Sequence, residues 1–491
     1  MKHLNKILLV ALAATMFSCD DDFEHPVEDF QVTKGDADFS KYIALGNSLT
    51  SGYRDNALYH SGQENSYPNM LAGLMKAAGG GEFKIPYMPN DTGGFTDTDI
   101  PGYPGKLVLQ IVNGSLSPVP TAAGGALDNI AAAGPYQNMG VPGAKSYHLA
   151  AEGYGNAAYV SLGKANPYFS RFASSGTTSV VKDAVAQNPT FFSLWIGNND
   201  VLSYATSGGL GVDHNVTNNV DPTTYNPLGY DITNANVVKA SINGILKAMT
   251  AKGAKGVIAN IPSVTSIPYF TTVPATPITG LADAQVTALM SAQAYGSYNA
   301  GLGQAKAAGL LSDAEYQERL IKFTAGATIN GAVIVDKDLT NLAALGLPSY
   351  RQTTSKDLIV LTAASLLPKG YGTQIALEDK YVLTAKETAK AEAAVTKYNA
   401  AIAELATAYN LAFVDTHAQM QRLSSASGIK FYGQTYTTTF VSGGAFSLDG
   451  VHLTGNGYAI VANMFVDAIN QKYHSTLRKV YPGDYPGIAI P

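Results

Sequence analysis

The chain has 491 residues, 46% of them hydrophobic and only 14% charged, against about 25% charged in ordinary soluble domains. That is enough apolar material for one large core or for two to three ordinary ones, while the 49 Gly and 29 Tyr point to a surface of Gly, Asn, Ser, Thr and Tyr rather than of ion pairs. The net charge is −5 with no basic cluster, which excludes nucleic acid as a partner class.

In chain order, residues 1–18 read as a targeting segment. Lys2 and Lys6 form a basic start, and residues 7–17 form an apolar run too short to span a bilayer. The run ends in Met16-Phe17-Ser18-Cys19, which resembles a loose bacterial lipobox. That resemblance implies cleavage before Cys19 and attachment of lipid to it. The bland alternative is an ordinary secretory signal that discards Cys19. Cys19 is the only cysteine, so an intrachain disulfide is excluded in a chain read as exported. Asp20-Asp21-Asp22-Phe23-Glu24 resembles the surface-export tags of some Gram-negative lipoproteins and equally suits a solvated tether over residues 19–39. The expectation is a chain held in the cell envelope by a lipid anchor, on the outer membrane or at the cell surface. No other run of about 18 apolar residues stands out, so membrane contact is expected through the anchor alone.

From Tyr42 onward strand-like and helix-like stretches alternate, the pattern of a parallel α/β sheet. Strands are predicted at 42–45 (YIAL), 191–196 (FFSLWI), 256–261 (GVIANI) and 412–415 (AFVD), and a further strand should precede the Asn138 region. Val238, Ile242, Ile245 and Met249 mark one face of a helix, as do Ala391, Val395, Tyr398, Ile402 and Leu405 of another. The second helix opens on Thr384 and Glu387, a capping box. Ile460, Val461, Met464, Phe465 and Ile469 mark a last helix after Thr454. Residues 76–135 and 203–235 read as long Gly-, Pro- and Asn-rich loops, and 271–380 as a larger insertion; loops of this length are usually functional or disordered.

Four short stretches carry chemistry. The first strand stops at Gly46-Asn47-Ser48-Leu49, with the serine two residues past its end, and open α/β sheets place their sites at the carboxyl ends of strands. A serine nucleophile needs a base, and of the eight histidines His452 stands out in Asp449-Gly450-Val451-His452. An Asp three residues before a His on a glycine turn can fold its carboxylate onto Nδ1–H and leave Nε2 free to take a proton. A histidine base also predicts a kcat/KM that rises as the imidazole loses its proton. His417, in Asp415-Thr416-His417, is the rival, less suited because neighbouring strand side chains point to opposite faces. Gly197-Asn198-Asn199-Asp200 follows a strand and is either a plain turn or a mount for the Asn199 amide as an oxyanion donor. Asn138 to Ala144 is either a turn or a loop offering the Gly143 backbone N–H.

Taken together and in this order, these blocks resemble those of the SGNH (GDSL) hydrolase superfamily: Gly46-Asn47-Ser48-Leu49, Asn138 to Gly143, Gly197-Asn198-Asn199-Asp200, and Asp449 to His452. The likeness covers roughly 42–270 and 381–475. It implies a three-layer αβα domain over residues 40–491, with a mostly parallel, flavodoxin-like sheet of about five strands and an insertion or cap at about 271–380. It further implies Ser48 as nucleophile, His452 as base and Asp449 as its orienting partner. Ser48 N–H, Gly143 N–H and the Asn199 side chain would form the oxyanion hole. One departure is visible: Asn47 stands where the GDSL block has Asp, and an amide donates where a carboxylate only accepts. The activity implied is that of an exported serine ester hydrolase, a lipase- or esterase-type acylhydrolase, without cofactor or metal; H-E-x-x-H, a cysteine set and clustered histidines are all missing. Acyl-lipid and O-acetylated glycan esters both remain open as substrates. The rival class is a non-catalytic, glycan- or ligand-binding surface lipoprotein on the same scaffold.

Overall fold

The computed structural model describes residues 31–96, 103–112 and 114–491. The targeting segment, Cys19 and most of the tether therefore lie outside the described residues. The centre is a five-stranded parallel sheet: β1 Tyr42–Gly46, β2 Asn138–Gly140, β3 Phe191–Trp195, β4 Lys255–Ala259 and β5 Ala412–Val414. The spatial order is 2-1-3-4-5 with every pairing parallel. Every residue of β1 and β3 is buried. This is why those strands are continuous apolar runs rather than alternating ones. The strand expected before the Asn138 region is Asn138–Gly140 itself, only three residues long and defined by its pairing with β1.

Helices cover both faces. On one, α2 (Tyr67–Lys76) packs against α7 (Gly455–Tyr473), which lies over β4 and β5. On the other, α3 (Val180–Val185), α5 (Ala235–Thr250) and α6 (Ala385–Ala408) pack side by side. The apolar faces read from the sequence are the buried ones: Val238, Ile242, Ile245 and Met249 in α5, and Ala391, Val395, Tyr398, Ile402 and Leu405 in α6. α1 (Ser48–Ser51) and α4 (Asn199–Thr206) begin directly beyond β1 and β3.

Residues 271–380 carry three short helices, Asp283–Leu289, Tyr295–Ala307 and Asp313–Arg319, and short antiparallel strands. A buried Arg351 braces the segment, pairing its Nε with Asp336 at 2.6 Å and its two Nη atoms with Asp357 at 2.8 Å each. Its Leu302, Val333, Ile334 and Ile359 join the same apolar core as the sheet. Among the described residues no helix is long and apolar enough to cross a membrane.

α6 starts on the capping box read from the sequence. Glu387 Oε2 accepts from the Thr384 N–H at 2.9 Å, and Thr384 Oγ1 accepts from the Glu387 N–H at 3.4 Å. Both residues are buried. Thr384→Ala should lower the stability of the chain by about 1–2 kcal/mol, measured as a fall in the urea midpoint with an unchanged far-UV circular dichroism spectrum.

Candidate active site

The strand order places a crevice where connections leave the sheet in opposite directions, between β1 and β3. Ser48 sits at that point. Gly46 allows the turn, because a Cβ there would stand 2.1 Å from Thr50 Oγ1 and 2.4 Å from the Trp195 carbonyl. Asn47 then caps α1, its Oδ1 accepting from the Leu49 N–H at 3.0 Å.

The Asp449–His452 turn meets Ser48 from the other end of the chain. Nδ1 of His452 lies 2.9 Å from Asp449 Oδ2, and Nε2 lies 2.9 Å from Ser48 Oγ. With a carboxylate opposite Nδ1, that nitrogen carries the proton, so Ser48 O–H donates to Nε2. Asp449 accepts further bonds from the backbone N–H groups of Val451, His452 and Asn56, each at 2.8 Å, and from Ser447 Oγ at 3.2 Å. Burial alone would push its pKa up; the His452 charge and these donors outweigh it and hold the carboxyl well below the usual carboxylate range. The Tyr53 ring packs on the imidazole at 4.6 Å.

The loop after β2 and the start of α4 complete the arrangement. Gly143 has φ +79 with open space where a Cβ would stand. Asn199 Nδ2 donates to the Ala144 carbonyl at 3.0 Å, which spends one of its two hydrogens and orients the other. Next to it the buried Asp200 accepts from Ser146 N–H at 2.7 Å and from Ser146 Oγ at 2.9 Å, clamping the same loop to α4. Burial raises the Asp200 pKa against the opposing pull of Lys145 and of these donors. Among the described residues neither the Ser48 nor the Gly143 N–H has a protein acceptor. Ser48, Gly143, Asn199 and His452 line one open cleft of about 920 Å³.

His417 is not brought to Ser48. Asp415 turns its carboxylate to cap the following helix, accepting from Ala418 N–H at 3.0 Å and Asn260 Nδ2 at 2.8 Å, and His417 Nδ1 is buried without a partner among the described residues. Among the described residues no cluster of three His, Cys, Asp or Glu could hold a metal ion.

Several contributors escaped the sequence reading. Asp55 receives the Leu448 N–H on Oδ1 at 3.1 Å, and its own N–H donates to Ser447 Oγ at 2.9 Å. Asp55 thereby ties the loop after α1 to the Asp449 turn. Its charge is paired with the buried Arg54 at 3.0 Å and bonded by Tyr59 O–H at 2.6 Å. Asp55 and Asn56 both have positive φ, 53 and 60, so the only local signal was an Asp-Asn turn. Asn47, the departure from the GDSL block, uses its amide in both directions, accepting from Leu49 N–H on Oδ1 and donating from Nδ2 to Asn198 Oδ1 at 3.1 Å. His214 and Asp231 form a second Asp–His pair at 2.8 Å, but Asp231 also accepts from Val212 N–H and Asn226 N–H, so this pair folds the 203–235 loop.

No protein-family model and no curated protein matches the chain. Among solved structures it is similar to a protein described as a GDSL-like lipase from Parabacteroides merdae, at 10% identity over 90% of this chain and 100% of that one, with a TM-score of 0.31. It is also similar to a variant of an acetyl-xylooligosaccharide esterase from Geobacillus stearmophilus, at 11% identity over 89% and 96% with a TM-score of 0.30. A third is a lipase/acylhydrolase from Enterococcus faecalis, at 9% identity over 90% and 100% with a TM-score of 0.29. At these scores the likeness carries no argument, and the fold rests on the sheet order itself.

The Asp449 carboxyl gives a pH prediction. Its pKa is depressed in the folded chain, so its contribution to stability is present above the ordinary Asp value of about 3.9 and is lost as pH falls from there toward the folded value. Asp449→Asn should remove that contribution. Unfolding free energies measured between pH 6 and 3 should then fall less steeply in the variant than in the parent.

Proposed function

We propose that the chain is a serine ester hydrolase. The observation that carries this reading is the unbroken relay from Asp449 through His452 to Ser48 at 2.9 Å per step, beside unpaired N–H groups in an open cleft. Ser48 Oγ attacks the ester carbonyl carbon while its proton passes to His452 Nε2, and the imidazolium is stabilised by Asp449. Charge collects on the carbonyl oxygen, where Ser48 N–H, Gly143 N–H and the Asn199 amide are the candidate donors. When the tetrahedral species collapses, the carbon–oxygen bond to the alcohol breaks and His452 returns the proton to the leaving oxygen. Water then repeats the cycle, releasing the acid and restoring Ser48. The resemblance of the four sequence blocks to SGNH hydrolases supports the same assignment. The non-catalytic alternative requires the site to have decayed, yet Ser48, Asn199, Asp449 and His452 are all present.

The test is hydrolysis of p-nitrophenyl esters by the chain from Asp20 onward. Ser48→Ala should abolish turnover while leaving the fold intact. Asn199→Ala should lower kcat by roughly 10²–10³-fold with little change in KM. Turnover undiminished in the serine variant would overturn the reading.

The cellular placement is a separate proposal resting on the N-terminal sequence: export, and anchoring through lipid on Cys19. Cys19→Ser should abolish incorporation of labelled palmitate into the full-length chain and release it from the membrane fraction.

A further inference from the structure

Two spaces of opposite character meet at Ser48. On one side is the cleft of about 920 Å³, walled by rings with polar tips. Tyr147 packs edge-on against His148 at 4.4 Å, and His148 stacks on Tyr154 at 4.6 Å and 18°. His148 Nδ1 accepts from the Lys145 N–H at 3.1 Å, so its proton sits on Nε2, which has no protein acceptor among the described residues. Burial, with the Lys145 charge beside it, pushes this histidine down to about 3, which makes Nε2–H a fixed neutral donor throughout the physiological range. Lys145 is only 3% exposed and donates from Nζ to the Asp231 carbonyl at 2.9 Å. The Tyr147 hydroxyl also has no partner among the described residues.

On the other side is a small pocket of about 40 Å³ that touches Ser48, Asn199 and His452. Its far wall is Leu49, Pro262, Ile267 and Val451, and the same four residues separate it from a second apolar cavity of about 90 Å³. A water-sized group takes about 10–15 Å³ of such space, so the near pocket holds roughly three water-sized groups, room for a short acyl chain and not a long one.

We infer that the substrate is a short-chain acyl ester of a sugar, with the acyl group in the small apolar pocket and the sugar in the aromatic cleft. This rests on the serine hydrolase reading and narrows it. A pyranose presents C–H faces to aromatic rings and hydroxyls to their polar tips, which matches the His148–Tyr154 stack and the free donors of His148 and Tyr147. The opposite placement fails on both sides. A fatty chain lying in the cleft would cover the His148 Nε2–H and the Tyr147 hydroxyl without offering either an acceptor, and a sugar ring is too large for a space of about 40 Å³ whose surface is mostly apolar.

The experiment compares kcat/KM for p-nitrophenyl acetate, butyrate and octanoate, and for ethyl acetate and an O-acetylated methyl xyloside, in the wild type and two variants. The wild type should prefer acetate or butyrate to octanoate by at least tenfold, and the acetylated xyloside to ethyl acetate by at least tenfold. His148→Phe keeps the stacking ring and removes the donor; it should raise KM for the acetylated xyloside about tenfold, well beyond its effect on p-nitrophenyl acetate. Ile267→Ala opens the wall to the second cavity and should raise octanoate turnover relative to acetate. A wild-type preference for octanoate, parity between the xyloside and ethyl acetate, or an equal effect of His148→Phe on both acetates would overturn this inference while leaving the hydrolase standing. If the folded wild type cleaves none of the five esters, the hydrolase reading falls and this inference falls with it.

Discussion

The site depends on β1 being paired in parallel with β2 on one side and β3 on the other. The register sets Gly46 opposite both Gly140 and Trp195, so three strands end at one level. Each then delivers one group within a few residues: Ser48 after β1, Gly143 after β2, Asn199 after β3. Because β2 and β3 lie on opposite sides of β1, their loops diverge above it and leave a crevice instead of closing over it. A single-residue slip of β1 would turn its buried side chains to the opposite face and carry Ser48 out of line with both neighbours.

The sheet does not position His452, whose turn lies between β5 and α7 and is closed by its own antiparallel bridge between Phe446 and Leu453. Two buried carboxylates do this instead. Asp449 collects the N–H groups of its own turn and of Asn56, and Asp55 reaches back to Leu448 and Ser447. A carboxylate withdrawn from water costs several kcal/mol unless nearly every lone pair is met, and here they are met by groups from both loops. Separating the loops would expose that cost, so the carboxylates that orient the imidazole also lock the two ends of the chain together. The Arg54 guanidinium extends the lock to the C-terminal segment through the Gly487 carbonyl at 3.1 Å.

What could be read from the sequence follows from the range of the forces involved. β1, β3 and β4 were legible because a strand buried on both faces must be a nearly continuous apolar run; β5, at the sheet edge with Phe413 exposed, showed only as a short apolar stretch before Asp415. Asn138–Gly140 was not, since three residues containing Asn and Gly have little strand propensity and owe their conformation to β1. Ser48 and the Asp449–His452 pair were visible because their chemistry is local, a strand end and an i,i+3 turn. Asp55 was invisible because its partners Ser447 and Leu448 lie more than 390 residues away along the chain. Lys145 and His148 were missed for a related reason: a lysine and a histidine three residues apart look like solvated surface until the fold buries the one and sets the other in the cleft wall.

Asn47 shows how a departure from the expected block is accommodated. A carboxylate there could still accept from Leu49 N–H, but Asn198 would have to turn its amide over to present Nδ2 in place of Oδ1. The Asn47 amide donates to Asn198 Oδ1 without that rotation. It also keeps a second full negative charge out of the small pocket that Asn47 shares with Ser48 and His452. There an ionised group would repel the oxyanion of the proposed reaction through a medium far less polar than water. Asp449, on the far side of the imidazole, is then the one carboxylate among the described residues bonded to His452, where its charge would stabilise the imidazolium of the proposed reaction.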